Sequence, residues 1–161
     1  MVVIVMGVSG AGKTTIGRML ADSLGWEFCD GDDLHPAANR DKMARGVALT
    51  DADRLPWLSA IRGAIDGFLA SGRNAIVACS ALKKSYRKML AADPAQTRLV
   101  WLDGSRKLIA QRIAARRGHF MPAGLLASQF AALEPPSCAV RVAVTGPPAE
   151  IVAAIRRELA I

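Results

Sequence analysis

Gly7-Val8-Ser9-Gly10-Ala11-Gly12-Lys13-Thr14 is a complete G-x-x-x-x-G-K-[ST] run, a spacing suited to holding a polyphosphate. The glycines let the backbone curl until successive N–H groups face phosphate oxygens. Lys13 adds a compact positive charge beside the transferring phosphate, and the Thr14 hydroxyl can ligate Mg²⁺. With Thr15 added, residues 7–15 are the candidate nucleotide-binding set. Asp30-Gly31-Asp32 then brings two carboxylates to a spacing of two. One can hold Mg²⁺ through water, while the other can orient or deprotonate an attacking hydroxyl. Phosphoryl transfer needs little more from a protein than positioning, charge neutralisation and such a group.

Further candidates flank this pair. His35 reads as a ligand to a polyol, as a helix cap, or as a solvated side chain. Arg54 is a planar, permanently charged fork that suits a carboxylate. Of its neighbours Asp51 and Asp53, one is expected to cap the following helix and the other to serve the site. Lys83, Lys84 and Arg87 follow Cys79-Ser80-Ala81 and either bind an anion or form a solvated face. Arg112 and Arg116 stand four apart and share a helix face. With Gly118 as a hinge and His119 next to it, they read as a lid closing arginines over phosphates. Trp57 reads as a packing residue, and Cys79 as a small buried one, since no base is placed beside it for covalent chemistry.

These residues need elements to position them. The apolar runs 1–6, 26–29, 74–79, 98–102 and 140–144 read as strands. Helical patterns cover 15–24, 55–71, 82–92, 105–117, 125–133 and 148–159, and a polar segment covers 30–53. Strands alternating with helices predict a doubly wound five-stranded parallel sheet, in one domain over 1–161. Ligands of such sheets bind beyond the carboxyl ends of the strands. That rule puts residues 30–32, 79–81 and 103–104 at the edge that carries the phosphate loop.

The bulk composition agrees. At 161 residues and 52% hydrophobic, the chain can build one real core. No run approaches the ~20 apolar residues of a membrane span, and the odd count of 3 cysteines fits a reducing, cytoplasmic setting. The net charge of +7 invites a nucleic-acid reading, but aromatics for base stacking are only 5%. An anionic nucleotide and an anionic second substrate account for much of the excess.

MGVSGAGKTT, DGDDLHPAANRDKM, LTDADRLPWL, CSALKKSYR, RRGHF and QFAALEPP follow one another along the chain. In this order they resemble the bacterial-type gluconokinases, small P-loop kinases similar in fold to shikimate kinase. The resemblance implies ATP and Mg²⁺, D-gluconate as acceptor, and transfer to its 6-hydroxyl. It implies that Asp30 with Thr14 serves the metal, and that Lys13, Asp32 and Arg116 are catalytic. Asp32, His35, Arg54, Lys83, Lys84, Arg87 and His119 would bind the sugar acid, and Arg112 and Arg116 would cover the nucleotide from a mobile lid. It further implies a cytoplasmic homodimer, with no nucleic-acid or membrane partner. Another small-molecule kinase, for shikimate or adenylylsulfate, is the alternative that the DGDDLHP and CSALKK blocks argue against.

Overall fold

Every residue of β1 (Val2–Met6) is sealed from solvent, because the strand lies at the centre of a sheet covered on both faces. The structure, a computed structural model, describes residues 1–91, 93–115 and 123–161. Its other strands are β2 (Glu27–Asp30), β3 (Ala75–Ala78), β4 (Thr97–Asp103) and β5 (Val140–Ala143). All pair in parallel, in the order β2-β3-β1-β4-β5. The helices are α1 (Lys13–Leu24), α2 (Ala37–Ala44), α3 (Asp51–Ala70), α4 (Lys84–Leu90), α5 (Arg106–Ala115), α6 (Ala123–Ala132) and α7 (Pro148–Leu159).

Alternate residues of a strand face opposite sides, and β1 divides the core accordingly. Val3 and Val5 pack with Ile16 and Leu20 of α1 and Ile155 of α7. Val2, Ile4 and Met6 pack with Trp57, Leu58, Ile61 and Ile65 of α3. Burial on both faces is why these strands read as unbroken apolar runs. The register pairs Asp30 with Ala78, Ala78 with Val5, and Met6 with Trp101. The carboxyl ends of four strands therefore meet at one edge, as the strand order requires.

Two local features differ from the sequence expectation. The polar segment 30–53, given no element from sequence, holds a 3₁₀ turn (Gly31–Leu34) and α2. And α3 begins at Asp51, ahead of the expected start at 55, because neither Asp51 nor Asp53 is its N-cap. Thr50 is. Its hydroxyl accepts the Asp53 N–H at 3.2 Å, and the Asp53 carboxylate accepts the Thr50 N–H at 2.8 Å. This reciprocal box satisfies donors that a helix start leaves open. The cap lets the helix begin before Pro56, which costs one helical bond inside the second turn.

Candidate functional site

The phosphate loop leaves β1 through Gly7 and enters α1 through Gly12. Gly10 and Gly12 hold φ of +83° and +98°, values that favour residues without a Cβ. Lys13 folds back so that its ammonium donates to the Val8 carbonyl at 3.2 Å. Helix α5 packs onto the loop so closely that a Cβ on Gly10 would stand 2.8 Å from Ile113.

The acidic pair is joined to this loop. The Thr14 hydroxyl donates to Asp30 Oδ2 at 2.7 Å, and the Asp32 N–H donates to Asp30 Oδ1 at 3.1 Å. Gly31 makes the turn possible, since a Cβ there would lie 2.6 Å from the Ala78 carbonyl. The Gly31 carbonyl in turn accepts Trp57 Nε1–H at 2.6 Å. Asp30 thus faces the loop, and Asp32 faces a cleft of about 350 Å³ shared with Ser9, Lys13, His35, Arg54, Trp57, Lys83 and Tyr86.

His35 is buried, so the solvated reading is excluded. It stacks on Trp57 with centroids 4.3 Å apart and planes 9° from parallel. Its Nδ1 lies 3.4 Å from Asn39 Nδ2, a donor. That contact assigns Nδ1 as acceptor and leaves Nε2 with the proton. Burial pushes the imidazole pKa below its ordinary value, opposed by Asp32, so the ring is neutral near pH 7. Trp57 therefore both packs and lines the cleft.

On the facing wall Asp51 gathers the cations. Lys83 Nζ donates to its two oxygens at 2.8 and 2.7 Å, Tyr86 OH donates at 2.5 Å, and Arg54 approaches at 3.4 Å. The hydrogen bonds from Lys83 and then Tyr86 hold the Asp51 carboxyl below the usual carboxylate range. Asp53 is drawn down to about 2, chiefly by Lys42 at 2.7 Å. Asp53 thus took the capping box, while Asp51 pairs with Lys83 and Arg54 beside the cleft.

Two expected substrate ligands are not in this cleft. Lys84 is exposed, and its backbone N–H donates to Glu134 at 2.5 Å. Arg87 is buried, its guanidinium donating to the carbonyls of Ala81 and Leu82 at 3.0 and 2.8 Å. Successive residues on a helix diverge by about 100°. Lys83, at the cap of α4, therefore reaches the cleft while Lys84 and Arg87 turn to another hollow. Arg112 is described, and donates to the Val144 carbonyl just beyond β5. Arg116, Gly118 and His119, the rest of the expected lid, lie outside the described residues. Cys79 is fully buried, with its thiol pushed up to about 12 by desolvation, so it is no nucleophile at neutral pH.

Sequence reasoning missed two members. Tyr86 bridges Asp51 and Arg54, and its spacing of three from Lys83 on one helix could have flagged it. Gln129 of α6 accepts the Ser9 N–H at 2.6 Å. Because the two stand 120 positions apart, no local pattern announces that contact.

The chain is similar to known proteins over most of its length. A family model described as an AAA domain matches residues 2–136. A gluconokinase of Gluconobacter oxydans (strain 621H) is 50% identical over 133 residues, covering 83% of this chain and 75% of that one. The crystal structure of a gluconokinase from Sinorhizobium meliloti 1021 superposes with a TM-score of 0.88 at 45% identity, covering 98% and 90% of the two chains. A shikimate kinase from Aquifex aeolicus shares the fold alone, with a TM-score of 0.65 at 16% identity, covering 99% and 96%.

Proposed function

The chain belongs to the gluconokinase family, and on that premise we propose that it moves the γ-phosphoryl group of ATP to the 6-hydroxyl of D-gluconate. The products are 6-phospho-D-gluconate and ADP. One observation carries the reading: a single cleft holds Lys13 of the phosphate loop, Asp32, and the Arg54–Lys83 pair of cations. Donor, hydroxyl activator and carboxylate receptor thus share one space.

The roles follow from the chemistry of each group. Amides of residues 7–15 and Lys13 hold the β- and γ-phosphates. Asp32 takes a hydrogen bond from the 6-hydroxyl and aligns its oxygen with the γ-phosphorus. Arg54 and Lys83 receive the gluconate carboxylate, Tyr86 OH holds Asp51 beside them, and His35 Nε2–H donates to a hydroxyl of the chain. Arg112 and Arg116 neutralise charge as the bond to ADP breaks. Thr14 and Asp30 fit Mg²⁺, because both present hard oxygen atoms, 2.7 Å apart and open to solvent. When bound, the ion offsets the charge of the β,γ-oxygens. The reading takes the chain as one domain over 1–161, acting as a cytoplasmic homodimer. No helix of the described residues is long and apolar enough to cross a membrane.

The test is ADP release with ATP and a panel of acceptors. Gluconate is expected to support turnover at least 100-fold above shikimate or adenylylsulfate. Equal or greater turnover on either of those would overturn the assignment.

A further inference from the structure

Lys84 and Arg87, absent from the cleft, line a second hollow of about 690 Å³ together with Lys88 and Arg98. It opens by the amino ends of β4 and β5, at the sheet edge opposite the phosphate loop, where Thr97, Arg98, Leu99 and Val140 contribute. Four cations line it, and no Asp or Glu is among the lining residues. Glu134, the acid felt at Arg87, accepts the Lys84 backbone N–H and lies outside that lining. Neither Lys84 nor Lys88 has a side-chain partner among the described residues, and Arg98 meets only the carbonyls of Pro94 and Ala95. Cations gathered in a concave surface without counter-charge raise a positive potential that draws anions.

Arg87 makes this more than a solvated face. It is 7% exposed, and one of its guanidinium nitrogens carries both carbonyl bonds. No buried side-chain nitrogen or oxygen of the described residues lacks a partner. The remaining nitrogens of Arg87 therefore touch solvent, and Arg87 is a lining residue of the hollow. A buried guanidinium with open donors is a preorganised receptor for phosphate or carboxylate oxygens.

The shape narrows the occupant. The volume lies within the range of small-molecule sites, roughly 300–1,000 Å³. Leu99, Pro135, Pro136 and Leu159 give it an apolar wall, suited to a ligand with a carbon body. The lining holds no aromatic ring on which a base could stack, which disfavours single-stranded nucleic acid. We propose that this hollow binds a small phosphorylated metabolite, and that occupancy is felt in the cleft through Arg87. The route is short. Arg87 holds the carbonyls of Ala81 and Leu82, the two residues before Lys83, and Ala81 sits at a strained φ of +45°. A ligand that draws on Arg87 shifts the segment that carries Lys83.

Cys138 is exposed and lines the same hollow, so it reports directly on occupancy. The experiment follows alkylation of Cys138 peptide by peptide, with glycerol 3-phosphate as probe and glycerol as the uncharged control. Glycerol 3-phosphate is expected to slow alkylation at least 5-fold, saturably, and to change the gluconate KM at least 2-fold. The double variant Lys88→Ala, Arg98→Ala is expected to lose both effects while keeping gluconate-dependent ADP release without probe. That retained activity separates failure here from failure of the kinase reading. The proposal is overturned by equal alkylation with probe and control, or by protection that persists in the variant. It is also overturned by protection from an oligonucleotide alone, or by a KM change that persists in the variant and marks competition in the cleft.

Discussion

Single residues divide the work of the cleft by charge. Asp32 faces the cleft, whereas Asp30 is tied to Thr14. Asp32→Asn keeps the size and loses the charge, so kcat is expected to fall about 10²–10⁴-fold with melting little changed. A steady-state assay beside a thermal melt checks both. Arg54→Ala removes a charged donor from the carboxylate wall. Its gluconate KM is expected to rise about 10–100-fold, from the 1.5–3 kcal/mol of a charged hydrogen bond, with the KM for ATP unchanged. His35 gives a pH signature. Its folded pKa lies below the ordinary 6.5 because burial disfavours the cation. The unfolded chain therefore binds the proton first, and stability present above pH 6.5 is lost as pH falls toward the folded pKa. Melting temperature is expected to drop less steeply from pH 7 to pH 5 in His35→Gln than in the wild type. Parallel slopes would exclude a buried neutral imidazole. The phosphate loop at 7–14 and the carboxylate pair at 30–32 were legible, because such motifs are local in sequence. The Asp51–Tyr86 bond is not local, as it joins residues 35 apart, and only the packing of α3 on α4 brings it about.

Elements carry the site by their ends. The capping box at Thr50 fixes where α3 starts, and so where Asp51 and Arg54 stand one turn apart. Thr50→Ala is expected to cost about 1 kcal/mol, lowering the melting temperature by about 2–4 °C, and to raise the gluconate KM more than the KM for ATP. An equal rise in both would detach the cap from the acceptor wall. Gly31 is stricter. A Cβ there meets the backbone carbonyl of Ala78 at 2.6 Å, and neither β3 nor the turn can retreat cheaply. Strand cores, α7 and the loop between β1 and α1 were readable from periodicity and glycine spacing. The start of α3 was not, because Pro56 looks like a boundary and Thr50 outside it supplies the true one. The divergence of Lys83 from Lys84 was also hidden. A run of basic residues in sequence is a set of different directions on a helix.

Across the whole molecule, the parallel sheet turns local motifs into one two-substrate site. Four carboxyl ends share an edge, so Lys13 after β1, Asp32 after β2 and Lys83 after β3 line one cleft of about 350 Å³. The opposite edge holds the second basic hollow, whose four lining cations are part of the +7 charge. The fold class was legible because its alternation of strands and helices spans the chain. The separation of two basic regions was not, since it depends on which face of α4 each side chain takes. The most direct test follows the products of wild type and Asp32→Asn with ATP, Mg²⁺ and gluconate by phosphorus NMR, beside ADP release. One phosphomonoester is expected, on the terminal carbon of gluconate, formed mole for mole with ADP by the wild type and at least 100-fold more slowly by the variant. ADP release without that ester, or an equal rate of ester formation by Asp32→Asn, would contradict this expectation.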